Sequence, residues 1–454
     1  MAKSNKSFIC QNCGNQHSKW QGQCHVCKEW NTIEEEIIEV QSSSNWKTLS
    51  ENFISTPKNP ISINKISLSK EYRLATNNFE LDRVLGGGLI PGSVTLLGGE
   101  PGIGKSTLLL QISLCINTSV LYISGEESEN QIKLRGNRLD GLNEKCFILN
   151  ETQTQKIFKK ILKIKPSLVI IDSIQTLFSE KIPNTPESVS QIKGCSAELI
   201  SFAKESSIPL ILVGHITKEG SIAGPKVLEH MVDTVLQFEG DTNFAYRIIR
   251  SKKNRFGSTN EIGIFEMFNS GLKTVQTPSK LLLSNLDISL SGHAIAASIE
   301  GVRPLMIEVQ ALVSSAVYGT PQRSSTGFNS KRLNMILAIL EKRAGFKLAS
   351  KDVFLNITGG LNIEDPSIDL AVVCSILSSY HDIPLPRNIC FAAEIGLSGE
   401  LRSIPQLERR IGEAEKLGFK SLLTTDVDIL NNEFNSIKII QLNKLEDLIS
   451  YLFS

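Results

Sequence analysis

The stretch Gly99-Glu100-Pro101-Gly102-Ile103-Gly104-Lys105-Ser106 constrains this chain more than any other. It fits G-x-x-x-x-G-K-[ST]. An apolar strand, Val94 to Leu97, runs into it, and a helix carrying Leu108, Leu109, Ile112 and Leu114 leaves it. Strand, turn and helix are the setting in which the motif binds phosphate. The glycines let successive backbone N–H groups face one anion, and the helix start adds its positive dipole end. Lys105 then reaches the β/γ-phosphates of ATP, Ser106 offers a hydroxyl to Mg²⁺, and Thr107 completes the nucleotide-binding stretch.

Around this motif, from Asn78 to Met267, apolar strands alternate with helices, which predicts a parallel sheet with helices on both faces. Leu168-Val169-Ile170-Ile171-Asp172 reads as a buried strand ending in a carboxylate, so Asp172 is placed to hold the Mg²⁺ shell at the strand's C-terminal edge. Hydrolysis also needs a group to orient water. Glu126 and Glu127 follow the strand Val120 to Ser124, and spacing does not choose between them.

Two Cys-x2-Cys pairs, Cys10/Cys13 and Cys24/Cys27, lie ahead of this region with ten residues between them. Four thiolates suit one tetrahedral Zn²⁺, and about thirty residues bury too little core to fold without a metal. The other five cysteines are scattered singly in apolar segments, a pattern of buried thiols and not of disulfides.

At 454 residues the chain is long enough for about three domains. The expected division is a zinc module over 1–33, a linker over 34–70 marked by Gln41-Ser42-Ser43-Ser44, Pro57 and Pro60, an ATPase domain over 71–275, and a final domain over 276–454. No apolar run approaches bilayer length, and the start lacks a signal-peptide core, so a cytoplasmic protein without a membrane partner is expected. The net charge of +1 means that any nucleic-acid binding rests on local patches.

Taken together, these motifs resemble the bacterial RadA (Sms) family of RecA-like recombination and repair ATPases, nearly end to end. The resemblance is carried by the zinc knuckles, Glu80-Leu81-Asp82-Arg83-Val84-Leu85-Gly86-Gly87-Gly88, the P-loop and Tyr122-Ile123-Ser124-Gly125-Glu126-Glu127. It continues through Asp172-Ser173-Ile174-Gln175-Thr176, Gly214-His215-Ile216-Thr217-Lys218-Glu219-Gly220 and Lys253-Asn254-Arg255-Phe256-Gly257. It implies that Glu126 is the catalytic glutamate, that His215 senses the γ-phosphate, and that Lys253 and Arg255 reach the nucleotide of the next subunit. Without it, the five basic residues from Arg247 to Arg255 would read as a DNA contact. Ser179 to Gln191 and Lys218 to Val227 resemble central-channel loops, with Lys218 and Lys226 as candidate phosphate contacts.

Beyond Gln276 the pattern changes and resembles the α+β Lon-protease-like domain that ends this family. Lon-type proteases use a serine activated by a lysine. Here Ser367, within Pro366-Ser367-Ile368-Asp369, matches the serine, whereas the lysine position reads Glu408 and Asp369 replaces a glycine, so an inactive protease is expected. The basic excess between Arg303 and Lys351 points to a DNA patch, with Arg323, Lys331, Arg332, Lys342 and Arg343 as candidates.

The sequence thus predicts a RecA-like α/β ATPase core with an N-terminal four-cysteine zinc module and a C-terminal Lon-like α+β domain. The resemblance implies a homo-hexameric ring using ATP, Mg²⁺ and Zn²⁺ to move single-stranded and branched DNA, with the RecA recombinase as a partner. A KaiC-like signalling ATPase, an ATP-fuelled protease and a passive strand-loading factor are the rival readings.

Overall fold

A computed structural model describes residues 5–10, 15–26, 28–38, 62, 73–215, 227–240, 246–275, 277–283, 290–316, 320–425, 434 and 436–453. Cys13, Cys27, Lys218 and Lys226 lie outside the described residues. The chain divides into two compact units, Met1–Thr274 and Val275–Ser454.

The N-terminal module is a small antiparallel sheet of β1 (Asn5–Cys10), β2 (Gln16–His17) and β3 (Ile33–Ile38), in the order β2-β1-β3. β3 pairs with β1 from Cys10↔Ile33 to Asn5↔Ile38. The module therefore runs past residue 33, into what reads in sequence as linker, because β1 needs backbone partners along its whole length. Cys10 and Cys24 are fully buried and pack in one cluster with Ile33.

The nucleotide-binding region begins with α1 (Phe79–Leu85), whose N-cap Asn78 accepts a hydrogen bond from the Leu81 N–H. There follow β4 (Val94–Gly99), α2 (Lys105–Cys115), β5 (Val120–Ser124), α3 (Glu129–Gly136), β6 (Cys146–Asn150), α4 (Thr154–Ile164), β7 (Leu168–Asp172), α5 (Val189–Ser206), β8 (Leu210–His215), α6 (Val227–Met231) and β9 (Thr234–Glu239). The strands β9-β4-β8-β7-β5-β6 are parallel. Alternate residues along them face opposite layers. Leu97, Tyr122, Ile170 and Val213 pack with α1, α2 and α3, while Leu96, Ile123, Ile171 and Leu212 pack with α4, α5 and α6. Both faces are dry, which is why these strands read as unbroken apolar runs.

The sheet then departs from the expected parallel pattern. β10 (Tyr246–Asn254), β11 (Ile262–Phe268) and β12 (Gly271–Thr274) extend it antiparallel, in the order β12-β11-β10-β9. The segments joining β9 to β12 are too short for a parallel crossover, which takes about a dozen residues, so hairpin-like returns are forced.

The second unit contains α7 (Pro278–Leu282), β13 (His293–Glu300), β14 (Arg303–Ser315), β15 (Arg323–Thr326), α8 (Ser330–Ala344), β16 (Lys351–Ile357), α9 (Asp369–His381) and β17 (Ile389–Phe391). It ends with β18 (Glu394–Ile395), β19 (Leu401–Arg402), α10 (Leu407–Lys416), β20 (Ser421–Thr424), β21 (Lys438–Gln441) and α11 (Leu445–Phe453). A seven-stranded mixed sheet, β15-β16-β14-β13-β17-β20-β21, forms its centre. Consecutive Ala296, Ala297 and Ser298 on β13 are all buried, so both faces are covered there. Among the described residues, no helix is long and apolar enough to cross a membrane.

Candidate nucleotide site

β4 delivers the chain to the P-loop, and Gly104 opens α2 with φ near +113°. A Cβ there would fall 2.7 Å from Met267 Cε, the movable end of a flexible side chain, so it is the backbone conformation that demands glycine. The Lys105 ammonium is almost fully buried and donates to the carbonyls of Gly99 (2.7 Å) and Glu100 (2.9 Å). Burial lowers its pKa, and the carboxylates of Asp172, Glu126 and Glu100 oppose that. These three acids therefore surround the one lysine that the motif assigns to phosphate.

Asp172 ends β7, two strands from the P-loop strand, and its Oδ2 accepts a hydrogen bond of 2.6 Å from the Tyr122 hydroxyl. Burial, then the Asp172 charge, raises the Tyr122 pKa far above its ordinary value, so it stays a donor. Ser106 lies near enough to the same phenol to act on its pKa in the opposite direction. The two residues expected to hold Mg²⁺ thus both lie near Tyr122, a residue that looks like plain core in sequence because it sits mid-strand.

Glu126 and Glu127 are separated by their contacts. Glu126 Oε1 accepts from Ser173 Oγ at 2.6 Å, directly beyond Asp172. Glu127 turns away to an ion pair with Arg135 on α3, and its backbone carbonyl takes the Asn150 side chain. Only Glu126 faces Lys105. His215 closes β8 in register with Gly99, on the strand between the P-loop strand and β7.

Lys253 and Arg255 lie elsewhere. In the sheet register Gly99 is level with Phe238 and Ile249, whereas Asn254 is level with Thr234. Four residues of β9 separate those levels, roughly 13 Å along the strand. The end of β10 is therefore at the opposite sheet edge from the P-loop of the same chain. A bulge at Lys252 shifts the register and re-aims Lys253, whose ammonium donates to the carbonyls of Glu229 (2.9 Å), His230 (3.0 Å) and Val232 (2.8 Å) at the end of α6. Arg255 is 52% exposed and paired with Asp233 at 3.3 Å. The other basic residues of the run are also committed. Arg247 Nε donates to the P-loop carbonyl of Ile103 (3.1 Å), and Arg250 and Lys252 face Glu239.

Two features that are distant in sequence explain each other here. Gly86, the left-handed cap of α1, packs on Gly257 so closely that a Cβ would lie 3.2 Å from the Gly257 Cα. The Asn254 side chain donates to the Val84 and Leu85 carbonyls and accepts the Phe256 N–H. The end of α1 is thus the seat of the turn that presents Arg255.

In the second unit the expected serine, Ser367, is fully buried, and the basic group beside it is not at position 408. Arg410 Nη1 donates to Ser367 Oγ (2.6 Å), Asp365 Oδ2 (2.6 Å) and the Ala297 carbonyl (2.7 Å). This corrects the sequence expectation by two residues. Leu407, Arg410 and Ile411 form the buried stripe of α10, which leaves Glu408 on the outer side. Burial alone would raise the Asp365 pKa, but the Arg410 hydrogen bond and charge outweigh it and hold it below the usual range. Arg410→Ala is expected to destabilise the chain by about 3–5 kcal/mol, since it strands a buried carboxylate. Urea unfolding measures this, and a loss below about 1 kcal/mol would show that the cluster is not structural.

Arg323 is exposed on the edge strand β15, and Lys331, Lys342 and Arg343 are exposed on α8. Eleven residues are close to three turns, so Lys331 and Lys342 share one helix face. Arg332 differs. Its guanidinium is held by Asp369, through Nε at 2.7 Å, and by Glu394 at 3.2 Å.

A strand–P-loop–helix, a carboxylate at the end of the strand two along from it and a glutamate facing the P-loop lysine define a RecA-like P-loop ATPase core, carried with a zinc ribbon and a Lon-like second unit. Family models agree region by region. Residues 8–35 match a rubredoxin metal binding domain, residues 73–221 an AAA domain, and residues 309–427 subunit ChlI of Mg-chelatase. The DNA repair protein RadA of Bacillus subtilis (strain 168) is 48% identical over 426 residues, covering 93% of both chains. That of Listeria monocytogenes is 46% identical over 437 residues, covering 96% of this chain and 94% of its own. The chain therefore belongs to the RadA family of DNA repair proteins. Among solved structures, the RadB recombinase (22% identity, TM-score 0.37) and a KaiC-like protein of Pyrococcus horikoshii OT3 (19%, 0.38) are covered over 100% and 99% of their length, and each covers 45% of this chain.

Proposed function

We propose that this chain is a DNA-dependent ATPase that assembles as a hexameric ring and works as a branch-migration motor or helicase on single-stranded and branched DNA, in homologous recombination and repair. The observation that carries this reading is the position of Arg255, exposed at the sheet edge opposite its own P-loop. A cation so placed cannot serve its own nucleotide, but in a ring of head-to-tail subunits it meets the next one. Hydrolysis then depends on assembly.

In this scheme residues 99–107 hold ATP, Ser106 and Asp172 hold Mg²⁺, and Glu126 orients the attacking water. His215, level with Gly99, reports the γ-phosphate to the segment after it. Arg255 of the neighbour stabilises charge on the transferred phosphoryl group. Lys253 joins it only by giving up three carbonyls at the end of α6, so its engagement is tied to movement of that helix. Cys10, Cys13, Cys24 and Cys27 hold one Zn²⁺; buried Cys10 and Cys24 fit such a site. Lys218 and Lys226 contact single-stranded DNA, while Arg323, Lys331, Lys342 and Arg343 contact duplex. Arg332 is left out, because its guanidinium is already spent on two carboxylates. The second unit is a scaffold and not a protease: Ser367 is fully buried, the guanidinium beside it cannot take its proton, and the Asp365 carboxylate to which its hydroxyl donates is made a weaker base by Arg410. The RecA recombinase is a partner, and the setting is cytoplasmic.

The test is steady-state ATP hydrolysis with and without single-stranded DNA, with Lys105→Ala as the blank, followed by a branch-migration assay. Stimulation by DNA and strand movement are expected. An assembled, zinc-loaded protein that ignores DNA would favour a KaiC-like assembly ATPase instead.

A further inference from the structure

Asp233 lies in the turn between α6 and β9, is only 5% exposed, and has no place in the scheme above. Its two carboxylate oxygens do different work. Oδ2 accepts the Val94 N–H (3.1 Å), at the first residue of the P-loop strand. Oδ1 accepts from Arg255 Nη1 (3.3 Å), and the Asp233 carbonyl accepts the Arg255 N–H (3.2 Å). Asp233 also acts on Lys253, raising a pKa that burial and the Arg255 charge lower. One buried carboxylate thus holds Arg255 and ties it to the start of β4, while its charge also acts on Lys253.

We infer that Asp233 is the positioning residue for Arg255. This rests on the trans role proposed for that arginine. An exposed arginine forfeits rotamer entropy when it is ordered on a ligand. Asp233 orders it in advance through one N–H at the side chain and one at the backbone, leaving the rest of the guanidinium fork, with five N–H groups in all, to face a phosphoryl oxygen. A carboxylate is required because it takes Val94 and Arg255 on separate oxygens and also supplies charge. Asparagine keeps the shape but offers only one acceptor oxygen.

Asp233→Asn is expected to bind ATP as wild type and to hydrolyse it about 10- to 100-fold more slowly, the range for a misplaced but present group. A role in the fold of its own P-loop strand would lower the rate too, so subunit mixing decides. Asp233→Asn has a sound P-loop, and Lys105→Ala has a sound Arg255. Their mixture should hydrolyse ATP faster than the sum of the two separate proteins. The control is an Arg255→Ala and Lys105→Ala mixture. If the control gains activity and the Asp233→Asn mixture does not, Asp233 serves its own strand and the inference is overturned. If the control also fails to gain, the trans role of Arg255 is lost and the inference with it. As a second readout, Asp233→Asn added to Arg255→Ala should slow hydrolysis no further; an additive loss would oppose the positioning role.

Discussion

Arg255→Ala is expected to bind ATP as tightly as the wild-type chain and to hydrolyse it at least about a thousandfold more slowly. Binding is spared because the substitution falls at the sheet edge opposite the P-loop, roughly 13 Å or more along the strand from the loop that holds phosphate. Hydrolysis fails because negative charge spreads over the transferred phosphoryl oxygens at an interface from which its cation has been removed. Arg255→Lys should recover only part of the rate, since it restores charge without the planar fork. Titration with a fluorescent ATP analogue and single-turnover hydrolysis separate the two effects, and light scattering confirms that rings still form. Wild-type turnover by assembled Arg255→Ala would remove the trans assignment.

How far the sequence carried depended on whether a feature is local. The P-loop, the strand ending at Asp172 and the alternating strands and helices of the core are set by residues within about fifteen positions of each other, and periodicity and spacing report such features directly. Partners chosen by tertiary packing are not reported. Glu126 and Glu127 are equivalent by spacing and differ only because Ser173 reaches one and Arg135 the other. The basic run on β10 looks like a DNA stripe, yet each of its cations has an acceptor, Arg250 and Lys252 sharing Glu239 and Arg247 taking a P-loop carbonyl. Arg332 is adjacent to the exposed Lys331 and nevertheless points inward to Asp369. The segment Ser179 to Gln191 resembles a central-channel loop in sequence, which does not report that the buried Gln191 amide donates to the carbonyls of Ser179, Ile182 and Asn184 and holds that segment to α5. Arg410 is the same kind of case. A motif comparison selects Glu408, whereas the helix period selects the residue two positions on, and packing follows the helix.

Glu126→Gln should trap the ATP-bound ring. The amide keeps the size of the carboxylate and can still meet Ser173 Oγ, so the fold and the nucleotide pocket are expected to persist. It is no longer a base, and loss of a positioned general base costs about 10²- to 10⁴-fold in rate. Because ATP still binds and Arg255 of the neighbour is still present, the interfaces close but are not released by hydrolysis. The variant should therefore hold single-stranded DNA longer in ATP than the wild type does, while moving strands hardly at all. Glu127→Gln is the matched control. Its carboxylate is paired with Arg135 on α3, and removal of that pair should leave turnover within a few-fold of wild type. Hydrolysis by both variants, with DNA dissociation followed in ATP, checks the assignment. Should Glu127→Gln prove the slower of the two, the water-orienting group would be the glutamate that contacts α3, and the Ser173 contact would have to be read as structural.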